Sequence, residues 1–284
     1  MNNFKDFCLG SAQFGMDYGL ESNKKVLEGE VEELINLFEE NHGEEIDTAK
    51  AYGVSEKIIS RYSRKSRITT KVSFENEPSK IKNDIEGSLE LFGDSLETIL
   101  AHNPNYLKEQ SLALKTFQDI KKQYNIKKIG ISIYSFDDLM SPFFEINEIA
   151  ECIDKIQISC NAFNRKEVEC NTYFELIRQG VEIDFRSIFL QGALLNKSMS
   201  ELIGNGRFQK YFKEWFEYCK FNELKPIEAS ILNLPKTSGK IVFGCKSVKE
   251  LKELQSIKVK NKTLFNLQVV PPKQLIDPRL WNLK

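Results

Sequence analysis

The pattern that most constrains this chain is one unit repeated along it: a short apolar run bounded by turn residues, then a longer stretch with helical spacing. The runs are 7–11, 45–48, 68–72, 96–102, 128–132, 156–160, 181–187 and 240–244. Short apolar runs of this kind read as strands buried on both faces. Helical stretches follow at 30–41, 54–63, 78–92, 109–124, 136–150, 166–179, 199–221 with 226–234, and 247–256. In the first of these, Val31, Leu34, Ile35, Leu37 and Phe38 share one helical face and glutamates take the other. Strands that alternate with helices pair in parallel, because each helix carries the chain back to the starting edge. Eight such units in 284 residues match the count and size of a (β/α)8 barrel.

The expected class is therefore α/β, a single (β/α)8 (TIM) barrel domain over 1–284, with 259–284 as a tail folded back over one end. A doubly wound sheet is the competitor, but it uses fewer strands and a clearer nucleotide loop. Gly10, Gly15 and Gly19 do not make G-x-G-x-x-G, and no helix is expected directly after them.

Charge and composition narrow the function classes. Lysine and arginine (40) nearly cancel aspartate and glutamate (41), which gives no support to a nucleic-acid or anionic-membrane partner. No run of about 18 apolar residues occurs, so a soluble, cytoplasmic protein is expected. Cys8, Cys152, Cys160, Cys170, Cys219 and Cys245 form no C-x-x-C pair, and His42 and His102 lie far from them in sequence. The thiols are expected to pack as small hydrophobes, and no metal site is expected. Phe208, Tyr211, Phe212, Trp215 and Phe216 make an aromatic stripe best explained by core packing.

Enzymes on such barrels place their chemistry at the C-terminal ends of the strands. Asp47, Lys71 and His102 stand at the ends of three consecutive runs, and Tyr52 lies in the loop after the first of them. Singly, each has a plain explanation: a loop carboxylate, a phenol lid on the core, a snorkelling lysine, a satisfied loop histidine. Packing alone does not demand three neighbouring strands that all end in titratable groups. Together they suit proton donation to a carbonyl oxygen as a hydride reaches its carbon. A free phenol has a pKa of about 10; a neighbouring ammonium lowers it, and a carboxylate keeps that ammonium charged and aimed. A histidine at the same point donates a hydrogen bond that orients the carbonyl.

These residues carry a resemblance. Ile46-Asp47-Thr48-Ala49-Lys50-Ala51-Tyr52-Gly53, Thr69-Thr70-Lys71 and Leu100-Ala101-His102-Asn103-Pro104 resemble the motifs that hold the Asp, Tyr, Lys and His tetrad of the aldo-keto reductases. The similarity runs from about residue 7 to 256, and within the family the chain most resembles compact bacterial members associated with polysaccharide biosynthesis. The resemblance implies a (β/α)8 barrel that uses NADPH or NADH without a Rossmann fold. It assigns catalysis to Asp47, Tyr52, Lys71 and His102. Gln13, in the loop after the first strand, and Ser132, in Gly130-Ile131-Ser132, are implied to meet the cofactor, with Gln157 beside them. Ile133 stands where an asparagine often follows that serine.

Arg186, Ser187, Phe189, Gln191 and Gly192 match the loop that stacks the nicotinamide and wraps the pyrophosphate. Arg186 replaces the aromatic residue many members carry, and a planar guanidinium also lies flat on a ring. Lys246 and Ser247 match the segment at the adenosine phosphate, with Glu250 and Glu253-Leu254 where members often have an arginine and a Glu-Asn pair. NADP(H) is favoured over NAD(H). The expected function is an NAD(P)H-dependent carbonyl reductase or alcohol dehydrogenase acting on a small carbonyl or alcohol. The alternatives are a cofactor-binding regulatory or scaffold subunit with little turnover, and a barrel with no cofactor. Phe14, Tyr18, Phe163 and Trp281 are expected in a pocket wall. Neither substrate identity nor oligomeric state is set by any feature of the sequence.

Overall fold

The structure is a computed structural model that describes residues 3–20, 25–75, 77–257 and 263–281. Its strands are β1 (Phe7–Gly10), β2 (Glu45–Asp47), β3 (Arg67–Val72), β4 (Leu96–Ala101), β5 (Lys128–Ile133), β6 (Lys155–Ser159), β7 (Glu182–Arg186) and β8 (Ile241–Gly244). They pair in sequence order, all in parallel, and β8 closes on β1 from Phe7 against Ile241 to Gly10 against Gly244. This is the expected (β/α)8 barrel.

Alternation along each strand divides the molecule into two chemistries. Residues pointing outward (Leu9, Ile46, Ile68, Ile99, Ile129, Ile131, Ile156, Ile158, Ile183 and Phe185) pack with the surrounding helices into one hydrophobic cluster. The intervening positions point into the barrel, and many are polar: Glu45, Asp47, Thr69, Lys71, Thr98, Ser132, Lys155, Gln157 and Asp184 are all buried. The core is thus a shell around the barrel, not its filling. Inside it, the fully buried ammonium of Lys155 lies 2.9 Å from Glu45, 3.1 Å from Glu182 and 3.0 Å from Asp184. Burial lifts the Asp184 carboxyl to about 7 against the pull of Lys155.

Several helices are shorter than their spacing suggests. The 109–124 stretch is helical over Ala113–Gln123, with a separate short helix at Asn105–Glu109 ahead of it. In place of 136–150 there is a single turn at Phe136–Leu139 and a helix that starts at Ile146. Pro142 lies between them, and it has no N–H to donate and crowds the preceding turn. The 166–179 stretch becomes a turn at Arg165–Glu169 and a helix at Asn171–Arg178. The 199–221 stretch breaks where Gly204 and Gly206 take φ of +60° and +80°, leaving Lys197–Leu202 and Gln209–Phe221. A one-turn helix, Ala12–Gly15, follows β1 where none was expected.

A second cluster joins the β7–β8 connection to the end of the chain. Phe163, Phe212, Trp215, Phe265, Leu275 and Trp281 pack together, so the aromatic stripe is core as its spacing suggested. The Phe265 amide donates to Asn233 at 2.6 Å, which ties 263–281 to the same connection. Of the expected tail, 259–262 and 282–284 lie outside the described residues. All six cysteines are free, and Cys8, Cys160, Cys219 and Cys245 are buried, with burial raising their thiol pKa values. No described helix is long and apolar enough to cross a membrane.

Candidate active site

The end of β2 delivers Asp47 into the barrel mouth, and β3 delivers Lys71 beside it. The Lys71 side chain is almost wholly buried, and its Nζ donates to both Asp47 oxygens at 2.6 Å and to the Thr48 carbonyl at 3.2 Å. Its next neighbour is the Tyr52 hydroxyl at 3.5 Å. Burial alone would push Lys71 toward its neutral form; Asp47, then Tyr52, outweigh it and raise its pKa above that of an ordinary lysine. Gln157 on β6 donates to the same Asp47 carboxylate at 2.8 Å. His102, just past β4, meets the Tyr52 ring edge-on with centroids 6.0 Å apart. Burial first, then the charges of Lys71 and Arg186, lowers the His102 pKa to about 4. At neutral pH its imidazole is uncharged, so it presents one N–H donor.

Tyr52 is on a loop, yet the loop is locked. A Cβ on Gly15 would fall 1.9 Å from the Tyr52 carbonyl oxygen, and one on Gly53 would fall 2.4 Å from the Gly15 carbonyl oxygen. Gly53 also sits at φ +58°, where only glycine rests without strain. Ser55 Oγ donates to Ser11 at 2.8–3.0 Å, and Lys50 pairs with the buried Glu56 at 2.8 Å. The phenol is therefore set by two backbones in contact, as precise placement of a proton donor requires.

These groups open into a cavity of about 700 Å³ at the C-terminal ends of the strands. Asp47, Tyr52, Lys71 and His102 line it, as do Gln13, Ser132, Gln157, Arg186, Ser187, Phe189, Gln191, Gly192 and Lys246. Ser247 does not; its hydroxyl accepts from the Glu250 amide at 3.2 Å and caps helix Val248–Gln255. Glu250 in turn accepts from the Lys246 amide at 2.6 Å, placing a carboxylate at that helix start. Two buried acceptors, Gln13 Oε1 and Gln157 Oε1, have no partner among the described residues, although both residues line the cavity. Unmatched buried acceptors fit a ligand that brings its own N–H or O–H donors.

Of the aromatic residues expected in the pocket wall, Tyr18 lines this cavity. Phe14 and Trp281 are buried in the two hydrophobic clusters, because each ring finds more apolar surface there, and Phe163 lines a separate cavity of about 90 Å³. The sequence reading missed Tyr134, Asn196, Met199, Lys225 and Arg279. Tyr134 had a signal, two residues beyond Ser132 and directly past the end of β5. Arg279 had none, since no periodicity fixes where the end of the chain lies. Its guanidinium carbon is 3.9 Å from the Tyr134 ring centroid, and that of Arg186 is 4.1 Å from it. Two planar groups that close fit only on opposite faces of the ring.

Among solved structures the fold has many counterparts. A Pseudomonas aeruginosa chain assigned to the aldo-keto reductases is 18% identical, with 88% of each chain covered and a TM-score of 0.60. A glycerol dehydrogenase from Gluconobacter oxydans is also 18% identical, covering 90% of this chain and 87% of its own, with a TM-score of 0.68. At that identity the likeness shows the fold. A comparison with curated proteins gives no match. The sequence itself matches the model of one family, described as the aldo/keto reductase family, over residues 6–263. A match of that extent, on a closed (β/α)8 barrel, means that the chain belongs to the aldo/keto reductase family.

Proposed function

We propose that this oxidoreductase reduces an aldehyde or ketone to an alcohol, or runs the reverse reaction, with Tyr52 as the proton donor. The observation that carries the reading is the Lys71 ammonium, buried, held by both oxygens of Asp47 and 3.5 Å from the Tyr52 hydroxyl. When bound, a reduced nicotinamide dinucleotide supplies the hydride. Tyr52 gives its hydroxyl proton to the oxygen on which negative charge develops. Lys71 stabilises the phenolate left behind, and Asp47 fixes Lys71. Neutral His102 donates a hydrogen bond to the same oxygen and orients it. Gln157 Oε1, the unmatched acceptor beside Asp47, suits the amide donors of a nicotinamide carboxamide.

The dinucleotide proposed is NADP(H), with Lys246 at the adenosine phosphate. A role in polysaccharide biosynthesis rests on sequence resemblance alone. The test is Tyr52→Phe, assayed over a panel of aldehydes, ketones and sugars. Turnover should fall on the order of 10²–10⁴-fold while cofactor affinity stays within a few-fold, and near-native turnover would remove Tyr52 from this role. If wild-type protein binds cofactor yet fails single-turnover oxidation across the panel, a scaffold or regulatory subunit is the better reading.

A further inference from the structure

Of the cations that line the cavity, Lys71, Lys225 and Arg279 each pair with a carboxylate: Asp47, Glu253 and Asp277. Arg186 does not. Among the described residues, its guanidinium donates to the Ser132 hydroxyl at 3.2 Å, the Ser187 hydroxyl at 3.0 Å and the Ile133 carbonyl at 2.9 Å, all neutral groups. One of its faces lies on Tyr134, which Arg279 braces from the other side. The result is a flat cation held by three hydrogen bonds and a stacked ring in the wall of the cavity it lines. Strand β7 stands four strands round the closed barrel from β3, so Arg186 faces Lys71 and Tyr52 across the mouth.

We infer that Arg186 makes this site sense the redox state of its dinucleotide, favouring the reduced form over the oxidised form. The inference rests on the reading that a nicotinamide dinucleotide occupies the cavity. Hydride transfer needs the nicotinamide carbon within about 3–3.5 Å of a carbonyl carbon whose oxygen meets Tyr52 and His102. A ring placed there, between the tetrad and the wall opposite, lies against the Arg186 plate. The reduced ring is neutral and stacks on a guanidinium at no electrostatic cost. The oxidised ring is a pyridinium cation, and it meets a like charge that no carboxylate of the described residues offsets. An aromatic residue at the same position would impose no such penalty. Repulsion between unit charges about 4 Å apart, in a partly open cavity, changes an equilibrium by on the order of tenfold. The oxidised form is therefore held more weakly than the reduced form.

Equilibrium titrations of the full chain with NADPH and NADP⁺, and separately with NADH and NAD⁺, test this by binding alone. Wild-type protein should bind the reduced form on the order of tenfold more tightly. Arg186→Gln removes the charge and should bring the ratio of the two dissociation constants close to one. Arg186→Lys keeps the charge without the flat plate, so it should weaken both forms while preserving most of the ratio. Tyr134→Leu, which leaves the charge but frees it to move, serves as a further variant should Arg186→Gln fold poorly, and should lower the ratio by a smaller factor. A ratio unchanged in Arg186→Gln, or unchanged in Tyr134→Leu if that variant must stand in, would overturn the inference while leaving the cofactor site intact. Failure of the wild-type protein to bind either form would instead overturn the cofactor reading and the inference with it.

Discussion

Lowering the pH should leave His102 uncharged long after an ordinary histidine has taken up its proton. Burial, then Lys71 and Arg186, brings its pKa from 6.5 to about 4. At pH 6.5 an unperturbed imidazole is half protonated, whereas roughly 0.3% of His102 is. The chain has two histidines, so imidazole NMR shows two titrating sets, and His102→Gln identifies which is which. The same shift is a stability statement. Between pH 6.5 and 4 the unfolded chain binds a proton at this site that the native state refuses, so stability falls as pH falls through that window. The full shift corresponds to about 3 kcal/mol, and the residual solvent contact of His102 reduces this to about 1–3 kcal/mol. Asp184 runs the other way: its carboxyl, raised to about 7, binds a proton in the native state that the unfolded chain releases, so its contribution is lost as pH rises from about 4 to 7. The two partly cancel in the wild-type curve. Subtracting the urea-unfolding free energy of His102→Gln from that of wild type at each pH isolates His102. The difference should shift against wild type by about 1–3 kcal/mol between pH 7 and 4. A His102 midpoint near 6.5, or a flat difference curve, would refute the electrostatic argument and with it the role of His102 as a neutral donor.

Two further outcomes follow from other parts of the structure. Lys155→Met leaves Glu45, Glu182 and Asp184 without the ammonium they surround. It should cost about 3–5 kcal/mol in urea unfolding at pH 7.5, and less at pH 5.5 as Asp184 takes up a proton; equal loss at both pH values would contradict the role given to Asp184. Glu250→Gln removes the carboxylate charge at the Lys246 amide, and should tighten NADPH binding a few-fold, about 0.5–1 kcal/mol, with NADH unchanged. Unaltered NADPH affinity would place the adenosine phosphate elsewhere.

The strands were legible because the barrel's outer face must be apolar wherever a helix covers it, and isoleucine at alternate positions in Ile156-Gln157-Ile158 announces that face. Helix boundaries were less legible. Pro142 and the glycine pair at 204 and 206 interrupt stretches whose apolar spacing continues past them. At the candidate site, Asp47, Tyr52, Lys71 and His102 could be expected at one mouth because each ends a strand or follows one closely, and all four line one cavity. Arg279 could not be read: its place depends on Phe265, Leu275 and Trp281 finding the aromatic cluster built by the β7–β8 connection, a long-range match that no local pattern encodes. Arg186 was read as a platform, but that its hydrogen bonds among the described residues go to neutral groups needed coordinates.

The polar interior of the barrel has a consequence for how freely this chain can vary. Odd and even positions of one strand answer to different demands: Ile156 and Ile158 to cohesion with the helices, Lys155 and Gln157 to charge balance and contact with the site. A change of chemistry inside the barrel therefore leaves the apolar shell untouched, provided that each buried charge keeps an opposite charge beside it. The chemistry along the axis can drift while the scaffold stays in place, and the limit on that drift is electrostatic more than steric.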